Sequence, residues 1–197
     1  MWSILTITME HPVRTLNHLL AILCAGYVTF VGAAHAQGHG DDALELLETL
    51  REGPVEEAAQ LTGEILERWS HSGSAALDYL LSRGRDALEA EDYEAAIEHL
   101  SALTDHAPDF AEGWNARGTA FFLADRFGLA VADLERALAL NPNHFGALSG
   151  LGVIYERLDQ PKAALHAFEE ALKIHPHMED VRTAVERLRA QTEGVAL

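Results

Sequence analysis

At 197 residues, 48% of them apolar, the chain is long enough for one domain with a continuous core. Its formal net charge of −17 argues against nucleic acid, because a phosphate binder needs a basic patch and no stretch supplies one. The acidity fits a well-solvated surface or attraction to a basic partner, and the single cysteine, Cys24, cannot form an internal disulfide.

Residues 1–36 have the make-up of a secretory signal peptide. Arg14 precedes an uncharged run at residues 19–32 that is short for a bilayer span, and Ala34-His35-Ala36 puts small residues before a cut between Ala36 and Gln37. Met9 competes with Met1 as the start, since Met9-Glu10-His11-Pro12-Val13-Arg14 makes a more ordinary leader opening. An uncleaved anchor facing the periplasm is the alternative; lipidation of Cys24 is disfavoured by the Ala21-Ile22-Leu23 that precedes it. Cleavage would remove Cys24, and a cysteine-free mature chain suits an oxidising compartment, so the expected location is periplasmic or secreted. With no second long apolar run, membrane contact is expected only through this segment.

Residues 37–40 read as a linker. Asp41 and Asp42 are placed to cap a helix carrying Leu44, Leu47 and Leu50, which Gly53-Pro54 ends. A second helix from about Val55 carries Ala58, Ala59, Leu61, Ile65, Leu66 and Trp69. Glu57-Ala58-Ala59 matches Glu94-Ala95-Ala96 further on, so residues 41–76 read as a degenerate N-terminal helix pair, atypical as a terminal copy should be. Ser70-His71-Ser72-Gly73-Ser74 then reads as a loop.

Residues 77–110, 111–144 and 145–178 are one segment written three times. Pro108, Pro142 and Pro176 recur every 34 residues. Place eight of each copy is Gly84, Gly118 and Gly152; place twenty is Ala96, Ala130 and Ala164; place twenty-four is Leu100, Leu134 and Phe168. Place four is Leu80, Trp114 and Leu148, and place eleven is Ala87, Phe121 and Tyr155. This period, with small residues where helices must touch and bulky ones around them, marks a helix-turn-helix solenoid.

Each copy predicts two helices with a turn at Glu91-Asp92-Tyr93, Asp125-Arg126-Phe127 or Asp159-Gln160-Pro161. In the last copy Ala164, Leu165, Phe168, Ala171 and Leu172 fall on one helix face opposite Glu169, Glu170 and Lys173. Pro161 suits the opening turn of that helix, and Asn141-Pro142 and His175-Pro176 end their pairs because the residue before proline leaves the α region. A glycine inside a helix costs roughly 1 kcal/mol relative to alanine, so its recurrence at place eight predicts close approach of the partner helix.

On these residues the chain resembles the tetratricopeptide repeat (TPR) family. Trp114, Gly118, Phe121, Ala130, Leu134, Ala137 and Pro142 match its pattern in the second copy, and Leu148, Leu151, Gly152, Tyr155, Ala164, Phe168, Ala171 and Pro176 in the third. The first copy is weaker, with Ala87 in place of the aromatic and Leu103 in place of a small residue. The resemblance implies an all-α fold: a right-handed α-solenoid of TPR helix-turn-helix pairs. Residues 179–197 complete it as a capping helix and tail, with Val181, Ala184, Val185 and Leu188 as the buried stripe.

Eleven histidines stand out, with His99, Asp105 and His106, and His175 and His177 as the nearest approach to ligand clusters. Zinc needs three or four converging ligands, and no cysteine supports these, so satisfied or solvent-facing histidines are expected and no cofactor is implied. His106 and His144 are read as helix C-terminal residues, where positive charge is welcome. No phosphate loop, nucleophile elbow or helical HExxH occurs, and Glu56-Glu57 and Glu169-Glu170 are adjacent pairs that project differently.

Function is therefore expected from surface. By the resemblance, the first helices line the concave face and places two, five, nine, twelve and thirteen meet the ligand. The candidate peptide-binding residues are Leu81, Arg85 and Leu88, then Asn115, Thr119 and Phe122, then Ser149, Val153, Glu156 and Arg157. Leu88, Phe122 and Val153 beside Arg85, Asn115 and Arg157 suit an extended or helical peptide with apolar anchors. The family's lysine and asparagine clamp for a C-terminal carboxylate is not reproduced, and Phe122 has a competing reading as inter-repeat core. The expected work is non-catalytic: a scaffold or adaptor for a protein or peptide partner in the bacterial cell envelope. The competing readings are a self-associating unit, through the helix near Trp69 or an uncapped end, and a histidine-based metal binder.

Overall fold

Three X-Pro steps punctuate the chain. Ala107, Asn141 and His175, each before a proline, sit at φ of −133°, −134° and −127°, away from the helical region as the clash with the following ring demands, and each ends a helix. The structure, a computed structural model, describes residues 43–194. Its helices are α1 (Leu44–Glu52), α2 (Val55–Trp69), α3 (Ala75–Glu89), α4 (Tyr93–His106), α5 (Ala111–Leu123), α6 (Phe127–Leu140), α7 (Phe145–Arg157), α8 (Pro161–Ile174) and α9 (Glu179–Gly194). Among the described residues there is no strand. The signal segment at 1–36, the linker at 37–40, Asp41 and Asp42 as caps, and residues 195–197 lie outside the described residues.

α3–α4, α5–α6 and α7–α8 are the three repeat pairs. The turn inside each pair has one construction: Glu91, Asp125 and Asp159 adopt φ of 58°, 57° and 55°. The next amide then reaches back to a carbonyl five residues earlier, Asp92 to Ala87, Arg126 to Phe121 and Gln160 to Tyr155, at 2.9, 2.8 and 2.8 Å. This is a Schellman ending with an acidic residue in the left-handed position that glycine usually takes. The second helices then restart, α4 with Asp92 capping the Ala95 amide at 3.1 Å and α8 with Pro161 in its first turn.

The first helices touch along the stack, α3 with α5 and α5 with α7, while the second helices stand further apart, so the first helices form the inner side. Ala96, Ala130 and Ala164 are fully buried where the two helices of a pair cross. α9 closes the last pair with Val181, Val185 and Leu188 against Phe168, Ala164 and Ala171. Arg187 and Arg189 pin it to Glu156 and Glu169 at 2.7 and 2.6 Å.

The N-terminal pair departs from the sequence reading. α1 and α2 do form, but they are not stacked on α3 as a preceding repeat. Leu47, Leu50, Ile65 and Trp69 instead bury themselves with Phe145 and Ile174, beside Leu148 and Met178, at the start of α7 and the end of α8. The physical reason is that this edge offers large apolar side chains that no repeat covers, together with hydrogen-bond partners for the pair. Thr62 and His175 meet at 2.9 Å, and Arg51 donates to the Lys173 carbonyl at 3.2 Å. α3 begins at Ala75, two residues before the first repeat copy, because the extended Ser74 starts it and Asp78 ties down the loop by accepting from the Ser72 amide and hydroxyl at 2.7 and 2.6 Å.

Candidate functional site

The inner face has two ends of different character. At the N-terminal ends of α5 and α7 stands a buried carboxylate, Glu112, 5% exposed. Arg85 donates to its Oε1 at 2.6 Å and to the Ser70 hydroxyl at 2.9 Å. Asn115 donates to Oε2 at 3.2 Å, and His144 meets the same oxygen through Nε2 at 2.9 Å. Because His144 Nδ1 accepts the Ala147 amide at 3.1 Å, its proton lies on Nε2, aimed at Glu112. Burial pushes the Glu112 carboxyl up, but the His144 hydrogen bond and the Arg85 charge outweigh it and hold the group below the ordinary carboxylate value.

His144 is thus an N-cap of α7 rather than a helix C-terminal residue, and its ring accepts the Ala147 amide. Trp69 of α2 stacks on it, centroids 4.8 Å apart and planes 29° apart, which closes this end of the face. His106 does sit in the last turn of α4.

The other end, toward the C-terminal ends of α3, α5 and α7, is open. Thr119, Val153 and Arg157 are exposed; Leu88 and Phe122 are half-buried, and Leu123 and Val153 are each 40% exposed. The Phe122 ring rests against Phe127 at 5.9 Å, so it shares both roles assigned to it, repeat core and surface. Ser149 is half-buried and turns its hydroxyl to the Gly146 carbonyl at 3.0 Å. Glu156 is tied to Arg187.

One candidate is corrected. Leu81 is 2% exposed and packs with Leu100, Leu103, Ala116 and Ala120, because α5 lies against α3 at this height and leaves no surface there. Arg85 and Asn115 are already engaged by Glu112. The available surface is therefore Leu88, Thr119, Phe122, Val153 and Arg157, apolar side chains on the first helices together with an exposed cation.

Two features escaped the sequence reading. Glu112 occupies a place read as solvent-facing, and the usable signal was His144, a polar residue where the other copies have Phe110 and Met178. The second is Arg117, which grips Asp133 bidentately at 2.7 and 2.9 Å, donates to Thr104 at 2.7 Å and lies over the Trp114 ring at 4.8 Å. Among the described residues no group of three or more His, Cys, Asp or Glu side chains converges as a metal site, and no helix is long and apolar enough to cross a membrane.

Stacked antiparallel helix pairs with an inner face of first helices define a helical solenoid of the protein-interaction class. Two family models described as tetratricopeptide repeat match residues 81–133 and 125–189. A TPR repeat-containing protein of Rhizobium etli is 34% identical over 146 residues, 74% of this chain and 70% of that one. The chain belongs to the tetratricopeptide repeat family.

Solved structures agree on the fold. The first TPR of Spaghetti (RPAP3), bound to HSP90 peptide SRMEEVD, aligns with a TM-score of 0.57 at 21% identity over 61% of this chain and 94% of that one. The TPR2B domain of yeast Sti1, in a complex with pHsp70, gives 0.56 at 18% identity over 60% and 99%.

Proposed function

We propose that the chain is a non-catalytic TPR scaffold or adaptor that holds a peptide segment of a protein partner along the inner face of α3, α5 and α7, in the envelope of a bacterial cell. The observation that carries this reading is that exposed Leu123, Val153 and Arg157 and half-buried Leu88 and Phe122 all lie on the first helices of the repeats, giving apolar anchoring points and a cation for an acidic group on the ligand. Solvated apolar side chains spaced along one concave face are what a bound segment would cover. Of the two structural neighbours described above, one is a TPR domain bound to an HSP90 peptide and the other a TPR domain in a complex with pHsp70, which supports the peptide mode. The envelope setting rests on the composition of residues 1–36, which reads as export, as a cleaved signal or an anchor.

The test is capture from an envelope extract by the purified chain, wild type against a Phe122→Ala, Arg157→Ala double variant. Capture of the same partner should weaken about tenfold or more with helical content unchanged, as expected for loss of an anchoring aromatic. Capture at wild-type strength removes the inner face from the account.

A further inference from the structure

The edge where α7 begins and α8 ends already has an occupant. α1 and α2 pack over the N-terminal end of α7 and the C-terminal end of α8. Trp69 stacks on His144 and packs on Phe145 at 5.3 Å, Ile65 and Leu47 join Ile174, and Thr62 meets His175. This is how an amphipathic helix is held in a groove: residues Ala58, Leu61, Ile65 and Trp69 face the seat while Glu56, Glu57 and Glu67 stay in solvent.

The contact has the marks of one that opens. Among the described residues three buried side-chain polar atoms lack a hydrogen-bond partner, Trp69 Nε1, His175 Nδ1 and His177 Nε2. Trp69 and His175 lie at this seam, and His177 lies against His175 with ring centroids 6.2 Å apart. A buried polar atom without a partner is a penalty that water relieves once the seam parts. The repeat-to-repeat seams carry no such atom. The connection to α3 is the short loop at residues 70–74, where Gly73 at φ 80° provides a conformation that other residues resist. For the pair to leave as a unit, the Arg85–Ser70 bond at 2.9 Å must part, while the Ser72–Asp78 bonds at 2.7 and 2.6 Å can stay with α3 and the repeats keep their own core.

We propose that the seat formed by His144, Phe145, Ile174 and His175 is a second binding surface, specific for an amphipathic helix with an aromatic anchor, and that the chain's own α1–α2 pair keeps it closed until such a helix displaces it. The inference deepens the reading above in one respect: displacement also releases Arg85 from Ser70 and uncovers Glu112, adding a polar end to the inner face.

The experiment uses the full chain and a labelled synthetic peptide of its own residues 43–72, titrated by fluorescence anisotropy, with hydrogen exchange on the same samples. Trp69→Ala removes the resident anchor and leaves the seat intact. In that variant the α1 and α2 amides should exchange about tenfold faster or more while those of α3 to α9 keep their protection, and the peptide should bind about tenfold tighter or more than to wild type. Equal affinity for the two proteins, or α1–α2 amides as slow in the variant as in wild type, overturns the proposal. Should Trp69→Ala unsettle the repeats, Ile65→Ala loosens the same helix without touching the stacked ring and is held to the same two readouts. Neither needs an outside partner, so failure here leaves peptide capture along the inner face standing, and failure of capture leaves the seat standing.

Discussion

Gly152 lies so close to Phe168 that a methyl group on its α-carbon would stand 2.4 Å from the ring. The same relation holds between Gly84 and Leu100 at 2.5 Å and, more loosely, between Gly118 and Leu134 at 3.0 Å. Place eight meets place twenty-four in every copy, which is why helix-weakening glycines recur there. Gly152→Ala should gain roughly 1 kcal/mol in helix propensity and lose about 1–3 kcal/mol or more to overpacking, since Phe168 is only 2% exposed and has no open side to swing toward. Its melting temperature should fall. Gly63, in the middle of α2 with nothing within 4 Å of an added methyl, is the control: Gly63→Ala should raise stability by about 0.5–1 kcal/mol.

The three acidic left-handed residues make a second prediction. A side chain in that conformation costs roughly 1–2 kcal/mol, less for Asp, whose short polar group tolerates it. Glu91→Gly should therefore stabilise by up to about 1 kcal/mol and Asp125→Gly by less, after the extra chain entropy of glycine is subtracted. Urea titrations at unchanged m-value will show it. Glu91→Ala, which keeps the β-carbon, should gain little.

Arg117 and Asp133 are 15% and 8% exposed at their side chains and join α5 to α6. Removing either partner leaves a nearly buried charge alone, so Arg117→Ala or Asp133→Ala should cost about 3–5 kcal/mol. Replacing both together, Arg117→Met with Asp133→Leu, should cost far less than the sum, because the desolvation of both ions disappears with the pair. A double-mutant cycle by denaturant unfolding checks this; additive losses would show that the pair is not coupled.

What was readable in advance follows from range. The period placed Gly152 against Phe168 because both positions are set within one helix pair, sixteen residues apart. Pro161 and the residues before Pro108, Pro142 and Pro176 acted through neighbours in the chain. The left-handed turns hid because Glu91, Asp125 and Asp159 are not glycine. The fold-back of α1–α2 had no local signal: Ala58, Ile65 and Trp69 make the stripe that any repeat helix would show. The surfaces they chose, Phe145, Ile174 and His175, lie 76 or more residues beyond Trp69 and look like ordinary repeat-junction residues. Leu81 and Glu112 were misread for the same cause, since their burial depends on how α3, α5 and α2 meet.

Acid should loosen the N-terminal pair first. Burial, and then the neighbouring His177, hold His175 below its ordinary value of 6.5, so the folded protein favours the neutral ring. Its Nε2 proton faces the Thr62 hydroxyl, which itself donates to the Ala58 carbonyl at 2.6 Å; Arg51 reaches the Lys173 carbonyl beside it, and the Lys173 ammonium is paired with Glu170. A lowered folded value means the contribution is complete above 6.5 and is lost as pH falls through the folded value. Glu112 follows the carboxylate form of the same rule, complete above 4.5 and lost only at lower pH. Between about pH 7.5 and about pH 5.5, corrected exchange protection of α1 and α2 should drop while that of α4 to α8 holds. His175→Gln, which still offers Thr62 a donor, should flatten the drop.

The central claim is that a partner lies along the inner face. Photo-crosslinking decides it, with benzoylphenylalanine placed at Val153 or Thr119 on the open inner face and, separately, at Leu129, which is 52% exposed on α6. The account predicts one partner adduct from positions 153 and 119 and none from 129. Adducts from 129 alone, or equally from all three, would contradict it.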